Sequence, residues 1–268
     1  MTLSIRHFGR PSRGMVGVHM AAETGTALRA KFLLCRPLGQ EAVRTAAIYR
    51  VVADRLAREG GETLRFDYHG TGDSPGDEGD QSIAQWVDDV LDAHASLEQG
   101  GQAPVHWFGM GLGANIALRA ALRAKAPPAQ LVLWEPVFNG KAYVQALKDG
   151  HCAELVRMFR VPWERLLSSG KAVQPQLPGN LLGFEFGPKL SEDLQEMGDI
   201  NLLPALRRGI RVVCAVHAEQ RPMFETMGAQ ALFHLHTVET RTDWMSSQAM
   251  GTAIAPPDIP RTLISTLS

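Results

Sequence analysis

The sequence predicts an α/β domain built on a mostly parallel central sheet with helices on both faces. Three observations carry this expectation. Short apolar runs alternate with amphipathic stretches from residue 28 to about 135, and again after 206, the rhythm of successive strand–helix–strand units. One unit, Val105 to Leu118, reads as a buried strand, a sharp turn through Gly109-Met110-Gly111-Leu112-Gly113, and a helix opening on small residues. The chain has 268 residues, 45% apolar and 21% charged, enough to bury the core of one such domain.

The elements follow in order. Residues 2–9 and 15–22 read as two strands about a Gly-Arg-Pro-Ser-Arg-Gly turn, a hairpin suited to cap one sheet edge. Leu28 to Cys35 is a third strand, followed by the loop Arg36-Pro37-Leu38-Gly39-Gln40-Glu41. The helix after it, from about Val43 to Arg58, gathers Ile48, Val51, Val52 and Leu56 on one face and stops at Gly60-Gly61. Thr63 to Asp67 is a strand that opens the loop Tyr68 to Asp77, and Ile83, Trp86, Val87, Val90 and Leu91 mark an amphipathic helix. Leu131 to Glu135 is another buried strand. From Asn139 to Leu206 the rhythm breaks, and residues 139–206 are expected to form a cap inserted over the sheet's carboxyl edge. Its pieces are helices at Tyr143–Leu147 and Leu155–Leu167, a short strand within Leu182–Phe186 and a helix from Ser191. Ile210–Val216 and Ala231–Val238 return to the sheet, and a last helix starts near Pro260.

Composition excludes several functions. With 27 Lys and Arg against 28 Asp and Glu, no global field recruits nucleic acid or an anionic membrane. Cys35, Cys152 and Cys214 have no metal-ligand spacing, and three widely separated cysteines suit a reducing compartment. The first residues lack the apolar core of a signal peptide, and no apolar run approaches roughly 18 residues. The expectation is a soluble cytoplasmic protein with no cofactor and no metal.

The strand order, the glycine turn and the loop Asp67-x-x-Gly70-x-Gly72-x-Ser74 together resemble the α/β-hydrolase superfamily, and within it the serine-aminopeptidase-like group. Within that group it more closely resembles exosortase A system-associated hydrolases, through Pro37-Leu38-Gly39-Gln40-Glu41, Phe66 to Asp77, Leu131 to Val137 with Gly140, and Gly183-Phe184-Glu185-Phe186 followed by Ser191. The resemblance covers about residues 28 to 250. It implies the fold, a helical cap, and a neighbourhood of exopolysaccharide export and protein sorting rather than one reaction.

Acyl transfer in that fold requires a nucleophile on the strand–helix elbow, a histidine base, an acid to orient it and an oxyanion hole. The elbow pattern G-x-S-x-G is written here with Gly111 at the serine position, so the nucleophile position is vacant. The base position, in the loop Glu239 to Met245, holds no histidine, and none occurs after His236. Near the acid position stand His217, Glu219 and, more remotely, Glu225. Glu219 is the best placed, against the simpler reading of an exposed loop carboxylate. His69, on a loop at the carboxyl edge, is the reserve base, with His217 beside it. His234 and His236 alternate with Phe233 and Leu235 and read as structural. The oxyanion hole is backbone, and the N–H groups of Leu38 and Leu112 are its expected donors, a nook for a carboxylate, phosphate or carbonyl oxygen unless Met110 or a water fills it. Arg36 and Glu41 flank the loop and can pair, Asp67 is expected to organise the Gly70-Thr71-Gly72 turn, and Cys35 is expected to be inert packing.

Two functions follow. One is a degenerate hydrolase that binds or scaffolds, with a small acyl or carbohydrate-derived ligand or a protein as partner. The other is an ester or thioester hydrolase or acyltransferase with a non-standard site.

Overall fold

The computed structural model describes residues 2–99, 101–228, 230–239 and 256–267. Among these residues the strands are β1 (Leu3–Arg10), β2 (Arg13–Met20), β3 (Ala30–Cys35), β4 (Gly61–Phe66), β5 (Val105–Met110), β6 (Gln130–Trp134), β7 (Gly179–Leu181), β8 (Phe184–Phe186), β9 (Arg211–Val216) and β10 (Phe233–Thr237). Eight of them form one sheet in the order β1-β2-β4-β3-β5-β6-β9-β10, and β7 pairs with β8 alone. Only β1 and β2 run antiparallel to their neighbours; from β4 to β10 the sheet is parallel. The predicted fold class is the one observed.

The helices are α1 (Gly39–Arg58), α2 (Ile83–Glu98), α3 (Leu112–Arg123), α4 (Gly140–Phe159), α5 (Trp163–Ser168), α6 (Pro188–Glu196), α7 (Leu203–Arg207) and α8 (Asp258–Ile264). Parallel strands covered on both faces must be largely apolar on both, which is why β3, β5 and β6 read as apolar runs interrupted only near their starts by Lys31, His106 and Gln130. Alternate residues separate the faces. Phe32, Leu34, Phe108 and Val132 pack with Ile48, Val52 and Leu56 of α1 and Ile259 and Leu263 of α8. Leu33, Trp107 and Leu131 pack with Trp86 and Val90 of α2 and Ile116 and Ala120 of α3.

The structure departs from the sequence reading in the inserted region. The expected piece Tyr143–Leu147 and the start of Leu155–Leu167 belong to one helix, α4, of 20 residues, capped at its start by the Asn139 side chain on the Ala142 N–H. The rest of Leu155–Leu167 is broken off at Arg160, at φ 52°, and continues as α5. The expected single strand is a hairpin, because Leu182 and Gly183, both at positive φ (57° and 89°), form a two-residue turn between β7 and β8.

Three contacts fix the end of β5. The Tyr49 hydroxyl, brought by α1, donates to the Cys35 carbonyl at 2.7 Å and accepts the Met110 N–H at 3.2 Å, joining the ends of β3 and β5. The Gly111 N–H donates to the Trp134 carbonyl at 3.0 Å. The Asn115 amide, on α3, clamps both backbone groups of Val137 at 2.7 and 2.8 Å. Tyr49→Phe leaves a buried carbonyl and a buried N–H unmet, so it is expected to cost about 1–3 kcal/mol, read from urea unfolding midpoints at unchanged slope.

Candidate functional site

The strand–turn–helix at β5 and α3 exists because two glycines let backbones touch. A Cβ on Gly109 would lie 2.7 Å from the Ala114 nitrogen, and one on Gly113 would run into the Arg36 carbonyl oxygen. Between them Gly111 caps α3 at φ 52° and ψ −129°. This is left-handed backbone that glycine adopts without cost. The three atoms nearest a Cβ placed here belong to side chains: the Glu41 carboxylate oxygens at 3.4 and 3.5 Å and Pro37 Cβ at 3.5 Å. Gly111 itself is half-buried. The elbow therefore keeps its shape, and the side chain that stands closest above its apex is the carboxylate of Glu41.

Glu41 arrives there because it lies in the first turn of α1, directly after the loop that follows β3. Tyr143, from α4 of the inserted region, donates its hydroxyl to Glu41 Oε2 at 2.8 Å. Burial, and then the Glu41 charge that the phenol's own hydrogen bond reinforces, hold the Tyr143 hydroxyl well above its ordinary pKa, so it stays a donor. Among the described residues neither the Leu38 nor the Leu112 N–H meets an acceptor, as expected of oxyanion donors and of a helix's first turn. Met110 does not fill the nook; it is buried under α1 on the opposite face.

The remaining residues named from sequence are dispersed. Arg36 pairs with Asp67 rather than with Glu41, and its Nη2 also donates to the Ala42 carbonyl at 3.2 Å. Asp67 takes the Asp73 N–H on its other oxygen at 3.0 Å, organising the glycine turn as expected. The structure does not bring His69 to the elbow. Its Nδ1 lies 3.0 Å from the Gly14 carbonyl oxygen of β2, a strand separated from β5 by β4 and β3, roughly 14 Å of sheet. Glu219 is exposed on the 3₁₀ turn Ala218–Met227 after β9. Glu225 is exposed on the same turn. Residues 240–245 of the expected base loop lie outside the described residues. Cys35 is fully buried, and burial pushes its thiol far up, away from reactivity.

Sequence reasoning missed one histidine–carboxylate pair. His217 Nε2 lies 2.5 Å from Glu135 Oε1, and its Nδ1 lies 3.3 Å from the Val238 carbonyl oxygen. Both ring nitrogens face oxygen acceptors, so the geometry leaves no ring lone pair directed at a substrate. Glu135 holds φ 44°, an uncommon conformation for a side-chain residue. The signal was present: both residues directly follow adjacent parallel strands, β6 and β9.

An apolar cavity of about 90 Å³ opens beside the Leu38 loop, between Tyr68, Trp86, Ile116 and Phe184. Phe184 belongs to the β7–β8 hairpin, which docks through the Glu185 N–H on Glu78 Oε2 at 2.9 Å. Burial first, and then the charges of Glu185 and Asp77, raise the Glu78 carboxyl. A raised carboxyl favours folding below its unfolded pKa, and that contribution is lost as pH climbs through the folded value. Glu78→Gln keeps an acceptor for Glu185 and removes the charge, so it is expected to raise Tm at pH 7 and to lose the gain near pH 4. At the elbow, Gly111→Ala is expected to cost about 1–2 kcal/mol for its positive φ, and Gly113→Ala about 3 kcal/mol or more for its backbone clash, both by denaturant titration.

Comparison with known proteins agrees with this architecture. The sequence profile described as Serine aminopeptidase, S33 matches residues 42–176, half of the chain. None of the curated proteins compared matches it. Among solved structures, the chain is similar to a soluble variant of monoglyceride lipase from Saccharomyces cerevisiae in complex with a substrate analogue, at 14% identity and TM-score 0.64, over 100% of this chain and 96% of that one. It is similar to proline iminopeptidase from Mycobacterium smegmatis at 14% identity and TM-score 0.59, over 98% and 97%. It is also similar to the bottromycin epimerase BotH in complex with bottromycin A2, at 15% identity and TM-score 0.56, over 99% and 100%. At such identities these neighbours speak to the fold, an α/β-hydrolase one. With half its length matched by the profile, the chain belongs to the serine aminopeptidase S33 family.

Proposed function

We propose that this protein uses the α/β-hydrolase scaffold to bind or scaffold and does not run serine-based acyl transfer. One observation carries the reading. Gly111 occupies the apex of a preserved elbow, and the carboxylate of Glu41, rather than a hydroxyl, stands over it. A carboxylate in that place opposes the negative charge that acyl transfer develops, whereas an oxyanion site requires donors. The histidine nearest the expected acid position, His217, directs both nitrogens at acceptors within the protein. The ligand in this reading is a small acyl or carbohydrate-derived molecule or a protein partner. The resemblance to exosortase-associated proteins supports a cytoplasmic role beside exopolysaccharide export or protein sorting.

A second reading has one observation in its favour. The Leu38 and Leu112 amides remain without acceptors among the described residues, as an ester or thioester hydrolase or acyltransferase with a non-standard site requires.

Hydrolysis assays on short- and medium-chain p-nitrophenyl esters and acyl thioesters separate the two. Wild type and Gly111→Ser are both expected to match the uncatalysed rate, because a serine placed at 111 still has no histidine base. Wild-type turnover that is lost in Glu41→Gln overturns the first reading and makes Glu41 the base of the second.

A further inference from the structure

A second cleft, of about 180 Å³, lies on the α1 side of the sheet at the end of β4, beside the middle of β2, walled by Val18, Tyr49, Arg36, Arg65, Asp67 and Asp73. Gly111 does not line it, and nothing in the elbow reading uses it. Its origin is a charge on the inner side of a strand. Along β4, Leu64 and Phe66 enter the core under α2, so Arg65, by strand alternation, faces α1.

Such a position is costly for a guanidinium unless an anion meets it. Among the described residues none does. Asp67 is already held by Arg36 on one oxygen and by the Asp73 N–H on the other. The Nε atoms of both Arg65 and Arg36 are buried and have no hydrogen-bond partner. Arg36 and Arg50 both oppose the protonated form of Arg65, adding to the effect of burial, so its guanidinium is held below the usual arginine range. Natural proteins leave few buried donors unmet, and two guanidinium groups, Arg36 and Arg65, lining one cleft are the donor set that carboxylate and phosphate oxygens satisfy.

We propose that this cleft is a binding site for a small oxyanion, a phosphoryl or carboxylate group, held by the guanidinium groups of Arg65 and Arg36. With Asp67 and Asp73 facing the same space, the excess positive charge is small, which suits a single oxyanion group rather than a polyanion. Arg36 also begins the loop that carries Leu38 and touches Gly113, so the cleft and the elbow share a wall.

The test is thermal unfolding at constant ionic strength in chloride, with inorganic phosphate or acetate exchanged in. Wild type is expected to gain about 2–4 °C at roughly ten times Kd with the anion it binds. Arg65→Met is expected to lose that gain, and without added anion to melt no lower than wild type, since an uncompensated charge has gone. A gain with phosphate alone assigns a phosphoryl ligand, and one with acetate alone a carboxylate. No gain with either, or an equal gain in Arg65→Met, overturns the proposal. Calorimetric titration of wild type and of Arg50→Gln, at an exposed arginine whose charge acts on Arg65, gives an independent reading should Arg65→Met fail to fold. Several-fold weaker binding in Arg50→Gln supports the site, and unchanged binding counts against it.

Discussion

The start of α3 lies closer to the ends of β3 and β5 than any side chain would allow, and the carboxyl edge of the sheet is arranged around that approach. Gly109 and Gly113 permit it, and the Tyr49 hydroxyl and the Asn115 amide hold it with hydrogen bonds to backbone groups that would otherwise be buried and unmet. Once α3 is seated there, the loop after β3 has one place to go. Leu38 comes to lie beside the helix N-terminus, and the first turn of α1 brings Glu41 over the apex. The geometry of a hydrolase elbow is thus a consequence of backbone packing and does not need a nucleophile to maintain it.

That separation of scaffold from chemistry explains how the site can keep its form with glycine at 111. The elbow's strained backbone is costly only where the residue carries a Cβ. Glycine relieves the strain, and the vacated space is shared by a carboxylate that Tyr143 fixes from the inserted region. The result is an apex with inverted electrostatics: two backbone donors remain, but the nearest side chain is an acceptor. What binds there must accommodate both.

Much of this was legible in the sequence, and the reason is local. The buried parallel strands announce themselves as apolar runs because both faces are covered, and the elbow because its glycines sit at fixed spacing around a strand–helix junction. What was not legible depends on contacts between distant residues. Tyr143 reaches Glu41 across 102 positions. Arg36 chose Asp67 because β3 and β4 are parallel neighbours, so the residues that follow each strand lie side by side. The His217–Glu135 pair has the same origin at β6 and β9. The full length of α4 is not legible because few of its residues are buried, so no apolar stripe marks it.

The β1–β2 hairpin has a consequence for how the chain comes together. Arg13, in β2, grips Asp89 of α2 with two bonds of 2.7 and 2.9 Å, and Asp89 is fully buried. The same carboxylate takes the His69 N–H at 3.0 Å, and β2 itself pairs with β4. During synthesis the hairpin leaves the ribosome while β4 and α2 are still unmade; at 5–20 residues per second, Asp89 follows Arg13 by roughly 4–15 s. The hairpin, made before β4 and α2, is therefore secured only after them. In that interval its edge strand, with Leu3 and Ile5 exposed even in the finished fold, is open to pairing with another chain.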